Sequence, residues 1–525
     1  MALGNKEQRH DSLNSPNVTQ TALGPGKHEQ SAQASDLGNF QDADEALQAV
    51  GNSSDAGEID IDEELKTRLL RKIDLHIMPM MCIVYGLSHL DKTTLSYASI
   101  MGLETDLNLT KSNYQWLGSI FYIGYLGFEY PTSRLLQRLP LAKYSAFNII
   151  LWGLTLSCTA ATSNFAGIAS VRLLLGMFEA AVTPGFVLFT SQWYTKKEQG
   201  LRTGIWCSFN GFANVLGGLV AYGVAQGPFG RSVALAGWKI VFLVWGLITM
   251  VMGIIFLLVM PDSPLKTRFL RGSEGRLVIE RTRHNQQGIG NKHFKMYQVK
   301  EAFADPQTWA FVMFALLWDI PNGGISTFFS QLIVSFGFTA EQSLLYSCPA
   351  GVIAAIAILL SGYFGDRFGQ RILISSFGLL VSIVGMVLIV ALPLTYKGGR
   401  LAGYYMVQVS TVSLVALLSL IASNVAGHTK KTTVAALFLI AYCAGNIIGP
   451  QIFNARESPR FRSAEITILV CWTVCVLDLG FIRWYYQKQN HKKLAVRAAA
   501  EYVKVENSQW LDLTDRENPE LIYTL

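Results

Sequence analysis

Charged residues are scarce in this 525-residue chain: Asp, Glu, Lys and Arg make up 15% of it, whereas hydrophobic residues make up 50%. Soluble domains average about 25% charged residues, and the mean hydropathy of this chain is +0.30. This composition excludes an ordinary soluble domain and is typical of membrane proteins. The net charge of +6 does not indicate nucleic-acid binding, because the basic residues lie mainly in short loops between apolar runs.

Clusters of reactive side chains are also missing from the sequence. The seven cysteines are scattered and show neither metal-ligand spacing nor a disulfide framework. The histidines form no ligand set or nucleophile constellation, and no Gly-rich loop followed by Lys-Ser/Thr is present to bind the phosphates of ATP. We therefore expect neither an enzyme nor an ATP-driven pump, and no bound metal or cofactor.

The apolar sequence falls into runs of about 20 residues, which suit helices that cross a hydrocarbon core roughly 30 Å thick. Their number predicts an all-α membrane protein with twelve transmembrane helices in two six-helix halves. We number these runs spans 1 to 12 and place them near 76–97, 113–134, 142–162, 166–190, 203–225, 238–260, 307–335, 342–364, 372–393, 402–424, 432–454 and 465–486.

The polar segments complete the domain organisation. Residues 1–64 show no cleavable signal peptide and are rich in Ser, Asn, Gln and Gly, so we expect a disordered cytoplasmic tail. The N-terminal half covers 65–260 and the C-terminal half covers 307–487. A cytoplasmic central loop at 261–306 joins them, and a cytoplasmic tail follows at 488–525.

Lysine and arginine are concentrated in every second loop. They follow spans 2, 4, 8 and 10, and they are frequent in the central loop and in the C-terminal tail. The positive-inside rule places these loops and both termini in the cytoplasm. Two halves joined by a basic cytoplasmic loop are the layout of a rocking transporter with its site at the midplane.

Span 4 carries two ionisable residues inside one apolar stretch, Arg172 and Glu179. A charge at bilayer depth costs roughly 2.5–3.5 kcal/mol, so such residues usually face a bundle interior and serve transport. At seven residues apart, they lie on nearly the same face of a helix. Asp91, near the end of span 1 and beside Lys92, lies at the depth of Arg172 and can pair with it. The alternative is that these charges only hold helices together.

Amide side chains beside helix-breaking residues indicate a substrate site. Asn446 lies among the Gly and Pro residues of span 11, and Asn322 follows Asp319 and Pro321 in span 7. Unwound backbone at bilayer depth is tolerated only where it lines a cavity or is buried in protein. We therefore predict that Asn322 and Asn446, together with Asn210 of span 5, bind substrate.

The loop between spans 8 and 9 carries the sequence GYFGDRFGQR at 362–371, which resembles the loop motif of the major facilitator superfamily. Its glycines allow a tight turn, and an acid in such a turn can pair with an arginine. We expect a conformation-dependent gate here. The first half keeps the equivalent Arg134 but has Ser133 where the acid belongs; the predicted gating residues are Asp366, Arg367, Arg371 and Arg134.

Four further segments extend the resemblance over residues 75–490. They are LDKTTLSYASIMGL at 90–103, RLLLGMFEAAVTPG at 172–185, SNVAGHTKK at 423–431 and AGNIIGPQIF at 444–453. Together they resemble the fungal anion:cation symporter family and, within it, the allantoate permease group. The resemblance implies a major facilitator fold and proton-coupled transport of organic anions through charges in helices 1 and 4. It assigns proton coupling to Glu179 and Asp91 and substrate binding to Arg172 and Lys92, where the family often has Arg in place of Lys92.

We therefore expect a monomeric, multi-pass protein of the fungal plasma membrane that imports a small organic anion by proton symport with alternating access. Allantoate, ureidosuccinate, nicotinate-like carboxylates and small peptides are the substrates that fit. Two alternatives are an exporter of a fungal secondary metabolite or drug, and a nutrient sensor that does not transport. Protons, the anion and the lipid bilayer are the expected partners, with no nucleic acid. Asn108 begins a possible glycosylation sequon.

Overall fold

The computed structural model describes residues 63–227, 235–264, 267, 269–270, 274–283, 295–457, 460–498 and 513–525. The predicted N-terminal tail lies outside the described residues, apart from its last two positions. The described residues form helices and connecting turns, with no strand among them. This agrees with the all-α prediction.

Each predicted span corresponds to a long helix or to two consecutive helices. In the N half these are Glu63–Ile100, Lys111–Arg138, Leu141–Cys158, Phe165–Glu179 with Val182–Trp193, Lys196–Gln226 and Gly237–Val259. In the C half they are Pro306–Ser335, Ala340–Tyr346 with Cys348–Phe368, Arg371–Ala391, Lys397–Val407 with Thr411–Asn424, His428–Ile448 and Arg462–Ala498.

Hydropathy separates two of these helices from the others. Ten helices in the described part of the chain are long and apolar enough to cross a membrane, and spans 2 and 7 are not among them. Both are long enough, at 28 and 30 residues. Their greater polarity has a structural reason, because spans 2 and 7 carry polar side chains where the two halves meet. The prediction of an all-α membrane protein is confirmed: ten of the twelve predicted spans have the length and hydropathy of a membrane helix, and spans 2 and 7 have the length.

Several helices extend beyond the predicted spans. Span 1 begins at Glu63, so residues 63–75, which precede its apolar run, belong to the same helix, and span 12 continues to Ala498. The central loop also contains the helices Glu274–Arg283 and Met296–Ala304. Hydropathy marks only the part of a helix that suits lipid, whereas backbone hydrogen bonds continue the helix into polar surroundings.

Small residues allow the spans to pack closely around the charged residues. A Cβ atom added to Gly176 of span 4 would lie 1.9 Å from the carbonyl oxygen of Phe121 in span 2. Between the halves, a Cβ on Gly211 of span 5 would lie 2.3 Å from the carbonyl oxygen of Gly351 in span 8. Glycine is therefore required at these crossings, as is common where membrane helices approach each other closely.

The two halves contact each other toward one end of the bundle. We call the end with residue 63, the central loop and residues 513–525 the terminal face, and the other end the opposite face. Tyr114 donates to the Thr327 carbonyl at 2.8 Å, Ser119 donates to the Ile447 carbonyl at 2.6 Å, and Gln331 donates to Glu104 at 2.7 Å. Each of these bonds joins the N half to the C half, near the opposite face. This structure is therefore closed on that side.

Residues 513–525, which we call the C-terminal segment, pack against the terminal face of the C half. The Lys493 ammonium of span 12 donates to the carbonyl oxygens of Asp515, Asn518 and Leu521 at 2.5, 3.1 and 2.9 Å. The Asp515 carboxylate pairs with Lys430 of span 11 at 2.8 Å. These bonds fasten one short segment to the ends of two spans.

Further contacts of the C-terminal segment reach spans 7, 9 and 10. Gln307 donates to Asp515 at 2.9 Å, and the backbone N–H of Arg371 donates to the Leu525 carbonyl at 2.8 Å. The backbone N–H of Thr524 donates to Asn424 at 2.9 Å. Burial, together with the nearby Asp515 carboxylate, raises the pKa of Tyr523. The segment therefore contacts five of the six spans of the C half.

Candidate functional site

Asp91 and Arg172 form a buried ion pair inside the N half. The guanidinium Nη1 lies 3.5 Å from Asp91 Oδ1, and the side chains are 0% and 2% exposed. Trp152 of span 3 donates to Asp91 Oδ2 at 2.8 Å, and Arg172 lies 5.8 Å from the ring centre of Phe242 in span 6. The pair predicted from depth along the membrane is therefore present. It is enclosed by spans 1, 3, 4 and 6, and its role in substrate binding stays a prediction.

Lys92 and Glu179 form a second ion pair beside the first. Lys92 Nζ lies 2.5 Å from Glu179 Oε1, and the same oxygen accepts a hydrogen bond from the Ser88 hydroxyl at 2.5 Å. The Glu179 side chain is 1% exposed, whereas the Lys92 side chain is 22% exposed. Lys92 also lies 5.6 Å from the ring centre of Phe121 and close enough to Cys443, in the C half, to influence it electrostatically. Of the two pairs, this one is oriented toward the C half.

Helical geometry explains why two pairs form. Successive residues of an α-helix point about 100° apart, because a turn holds 3.6 residues. Asp91 and Lys92 therefore face different neighbours, whereas Ser88 and Lys92, four residues apart, share one face. Arg172 and Glu179 share a face of span 4, and each of them meets the residue of opposite charge on span 1. The sequence predicted the first pairing but not the second.

The amide residues of the C half surround a third buried carboxyl, Asp319. Asn446 donates from Nδ2 to Asp319 Oδ1 at 2.9 Å, and Asn322 donates to the same oxygen at 3.4 Å. Asn322 also donates to Asn446 Oδ1 at 3.1 Å. Asp319 and Asn446 are fully buried, whereas Asn322 is partly exposed. Two predicted substrate-binding residues, Asn322 and Asn446, are thus brought together.

Span 7 is a continuous helix where an interruption was expected. It runs from Pro306 to Ser335 with Pro321 inside it. Its glycines allow close packing: a Cβ on Gly323 would lie 2.8 Å from the Asn446 Cα, and one on Gly324 would lie 2.9 Å from the Gly449 carbonyl oxygen. Span 11 does end its α-helix near the predicted site, at Ile448, and a tight turn follows at Gly449–Ile452.

Aromatic side chains lie between the charged clusters of the two halves. Tyr122 of span 2 packs edge-on against Tyr442 of span 11, with ring centres 6.1 Å apart. Tyr122 is near enough to both Glu179 and Asp319 to interact with their charges. The remaining predicted substrate residue, Asn210 in span 5, is partly exposed, and it has no hydrogen-bond partner in the described structure for its buried Oδ1 atom. It does not belong to either hydrogen-bonded cluster.

Comparison with known proteins identifies the family. The model for the Major Facilitator Superfamily matches residues 81–450. The chain belongs to this superfamily. It is 40% identical over 470 residues to an uncharacterized transporter of Schizosaccharomyces pombe, which covers 89% of this chain and 91% of the relative. It is also 36% identical over 496 residues to the allantoate permease of Saccharomyces cerevisiae, covering 92% of this chain and 91% of the relative.

These relatives place the transporter in the allantoate permease-like group of the superfamily. Among solved structures, it is similar to a bacterial homologue of the human lysosomal transporter Spinster in an inward-facing, unoccupied conformation. The TM-score is 0.60 at 16% identity, over 78% of this chain and 95% of that one. This likeness concerns the fold alone. The family and the fold are those of multi-pass membrane transporters and not of enzymes.

Asp319 is the site residue of this transporter that sequence reasoning did not select. It lies inside the apolar run of span 7, so the cost of an intramembrane charge that singled out Arg172 applies to it equally. The sequence does not show that two amides share its Oδ1 atom. It also does not show that Oδ2 is buried without a partner among the described residues.

The predicted gating residues of the transporter lie at the terminal face. Arg134 and Arg367 are exposed, and Arg371 donates from its guanidinium to the Ser419 hydroxyl of span 10. Gly369 has φ of +61°, the left-handed backbone expected of a glycine in a tight turn. The side chain of Asp366 is outside the described part of the molecule, so its pairing with an arginine stays a prediction.

The sequon residue Asn108 lies in an exposed turn at the opposite face, with φ of +50°. The Thr110 hydroxyl accepts a hydrogen bond from the Asn113 backbone at 3.1 Å and so caps span 2. Asn108 is therefore accessible, while the hydroxyl of its sequon takes part in a helix cap. Glycosylation at this position stays a prediction.

One acidic group on the terminal face has the spacing of a metal site. It consists of Glu301, Asp305 and Asp515. The Lys430 ammonium lies 2.9, 2.6 and 2.8 Å from their carboxylates. A lysine that bonds all three acids serves as their counter-ion, so the arrangement fits a structural ion cluster better than a cation site.

Proposed function

We propose that this transporter imports a small organic anion together with protons, and that Lys92 binds the anion while Glu179 carries a proton. The observation that supports this most is the Lys92–Glu179 pair at 2.5 Å, in which the lysine is partly exposed and the carboxylate is buried. An incoming anion reaches the ammonium before it reaches the glutamate. The pair is therefore arranged so that an anion competes with Glu179 for Lys92.

This competition couples the two ligands. When the anion takes the ammonium, the buried Glu179 carboxylate loses its cation, and the protonated form becomes favoured. By thermodynamic reciprocity, protonation of Glu179 frees Lys92 and strengthens anion binding by the same factor. Rocking of the halves then exposes both ligands to the terminal face, where reformation of the pair expels them. In this structure the Lys92–Glu179 pair is formed and the opposite face is closed.

The enclosed pair has a different part in this proposal. Arg172 bonds Asp91 and packs over Phe242, so it reaches an anion only if that pair opens. We therefore assign Arg172 and Asp91 the positioning of span 1 against span 4, which sets the distance between Lys92 and Glu179. The partly exposed Asn322 is assigned hydrogen bonds to the polar remainder of the substrate.

The substrate class proposed is a carboxylate that carries ureido or amide groups. Lysine supplies a point charge for the carboxylate, and amides such as Asn322 and Asn210 both donate and accept hydrogen bonds. Allantoate, the substrate named for the Saccharomyces cerevisiae relative, has both groups. We propose the plasma membrane as the location, with the terminal face in the cytoplasm, because the basic loops lie on that face.

The test is uptake of labelled allantoate into proteoliposomes under an imposed pH gradient. We expect Glu179→Gln to lose gradient-driven accumulation while it keeps exchange of internal for external substrate, because glutamine cannot release a proton. Lys92→Met is expected to lose both activities, and Lys92→Arg, which keeps the charge, to retain exchange. Normal accumulation by Glu179→Gln would refute the coupling role, and normal exchange by Lys92→Met would refute the binding role.

A further inference from the structure

We propose that Asp319 is a second proton-binding site, located in the C half and protonated in the conformation described here. Its participation in the transport cycle rests on the proposed function above. Its protonation does not, because that follows from the surroundings of the side chain.

The two oxygens of Asp319 have different surroundings. Both amide donors, Asn446 at 2.9 Å and Asn322 at 3.4 Å, bond Oδ1. The Oδ2 atom is buried and has no hydrogen-bond partner in the described part of the chain. A proton placed on Oδ2 therefore leaves both amide bonds intact. The hydrogen-bonding pattern is that of a carboxylic acid with a free hydroxyl position.

No cation compensates Asp319 in the part of the molecule that the structure describes. The titratable groups near it are Tyr122 of span 2, Tyr442 and Cys443 of span 11, and Cys475 of span 12, all of them neutral acids at neutral pH. Span 1 contributes Lys92, which Glu179 already engages. Residues 407–418 of span 10 contain no ionisable side chain.

Asp91 shows the contrasting arrangement. Its Oδ2 accepts the Trp152 N–H at 2.8 Å, and its Oδ1 faces the Arg172 guanidinium at 3.5 Å. Asp91 thus has a hydrogen-bond donor at one oxygen and a cation facing the other. Asp319 is as fully buried but has two neutral donors on one oxygen only. An isolated carboxylate away from water is strongly disfavoured, so Asp319 takes up a proton instead.

The proton step is a simple acid–base exchange. With the halves open toward the opposite face, the Asp319 carboxylate accepts a proton from water on that side and becomes a neutral acid. Closure of that face buries the acid, and opening toward the terminal face lets the acid return its proton to water there. One proton therefore crosses in the C half for each cycle, in addition to the proton carried by Glu179 in the N half.

The first test measures protonation without any substrate. Infrared difference spectra of the purified full-length protein, recorded over a neutral-to-alkaline pH series, are expected to contain a carboxylic-acid carbonyl band that Asp319→Asn lacks. The matched control is the double variant Asp91→Leu/Arg172→Met, which removes an equally buried aspartate together with its cation and should leave the band in place. Monodispersity on gel filtration verifies folding of each variant. Identical spectra for the wild type and Asp319→Asn would overturn the proposal.

The second test counts protons in proteoliposomes, with labelled allantoate as the probe. The pH gradient that balances a fixed allantoate gradient gives the number of protons per anion. We expect Asp319→Asn to transport allantoate with one proton fewer per anion than the wild type. An unchanged proton number would overturn the role in the cycle. If the wild-type protein does not transport allantoate, the substrate proposal fails, whereas the infrared result still decides whether Asp319 is protonated.

Discussion

Three buried carboxyl groups near the centre of this transporter, two in the N half and one in the C half, have different partners. In the N half, Asp91 and Glu179 each pair with a cation, Arg172 and Lys92 respectively. In the C half, Asp319 has only amide donors among the described residues. Similar burial therefore produces different chemistry. In our proposal the partner decides the charge of each acid. Arg172 keeps Asp91 ionised, Lys92 keeps Glu179 ionised until an anion competes for the ammonium, and the amides leave Asp319 neutral.

Removal of one partner from the enclosed Asp91–Arg172 pair should cause the largest change, a loss of protein stability. Asp91→Asn leaves the Arg172 guanidinium buried without its counter-charge, and breaking a buried pair in this way costs about 3–5 kcal/mol. We expect a marked loss of folded protein and an earlier thermal unfolding transition in detergent. The double variant Asp91→Leu/Arg172→Met removes both charges and should recover most of the stability. A single variant as stable as the wild type would show that the pair is not enclosed.

A change of intermediate size, in the initial rate of uptake, is expected for a variant at Asn446 in the C half. Asn446→Ala removes the shorter hydrogen bond to Asp319, and loss of a hydrogen bond to a charged group costs about 1.5–3 kcal/mol. The ionised form of Asp319 is then less stable and proton release is slower, so initial uptake should fall by about tenfold, which corresponds to about 1.4 kcal/mol.

Asn322→Ala is the matched control for this variant, because its bond to the same oxygen is longer, 3.4 Å against 2.9 Å. Its effect on the initial uptake rate should be smaller. A larger effect of Asn322→Ala would indicate that Asn322 acts mainly on the substrate and not through Asp319.

The smallest change is expected for Glu104, where the halves meet at the opposite face, and it concerns the pH dependence of closure. Burial raises the pKa of Glu104, which accepts a hydrogen bond from Gln331 at 2.7 Å across the two halves. A raised pKa in the closed state means that protonation favours closure, and that this contribution is lost as the pH rises through the raised value. Spin-label distances across the opposite face should therefore shorten on acidification. Glu104→Gln should remove this pH dependence, and an unchanged dependence would assign it to another group.

The sequence predicted the fold well because the two features behind that prediction, apolar runs and the charges within them, are each visible in a short stretch of sequence. Apolar runs show where helices cross, and charges within those runs show which helices carry function. The pairing of Lys92 with Glu179 was also implicit, since neighbouring residues on a helix must face different directions. The sequence reasoning combined Arg172 and Glu179 into one site because it considered each helix separately.

Other features depend on contacts that no local pattern reveals. The neutral surroundings of Asp319 arise from spans 2, 7, 11 and 12 together. The C-terminal segment is polar and has no apolar periodicity, yet Asp515 binds Lys430 and Thr524 binds Asn424, both far away in the sequence. Hydropathy indicates insertion into lipid, and it contains no information about a polar segment that docks on the ends of helices.

The C-terminal segment makes one half mechanically different from the other. The bonds described for it all end on the C half, so rocking of the halves does not require any of them to break. Five spans tied together at one end move as a stiffer body than spans joined only by their loops. Amide hydrogens at 424–431 should consequently exchange with solvent more slowly than those at the comparable ends of spans 4 and 5, and most of the deformation in each cycle should occur in the N half.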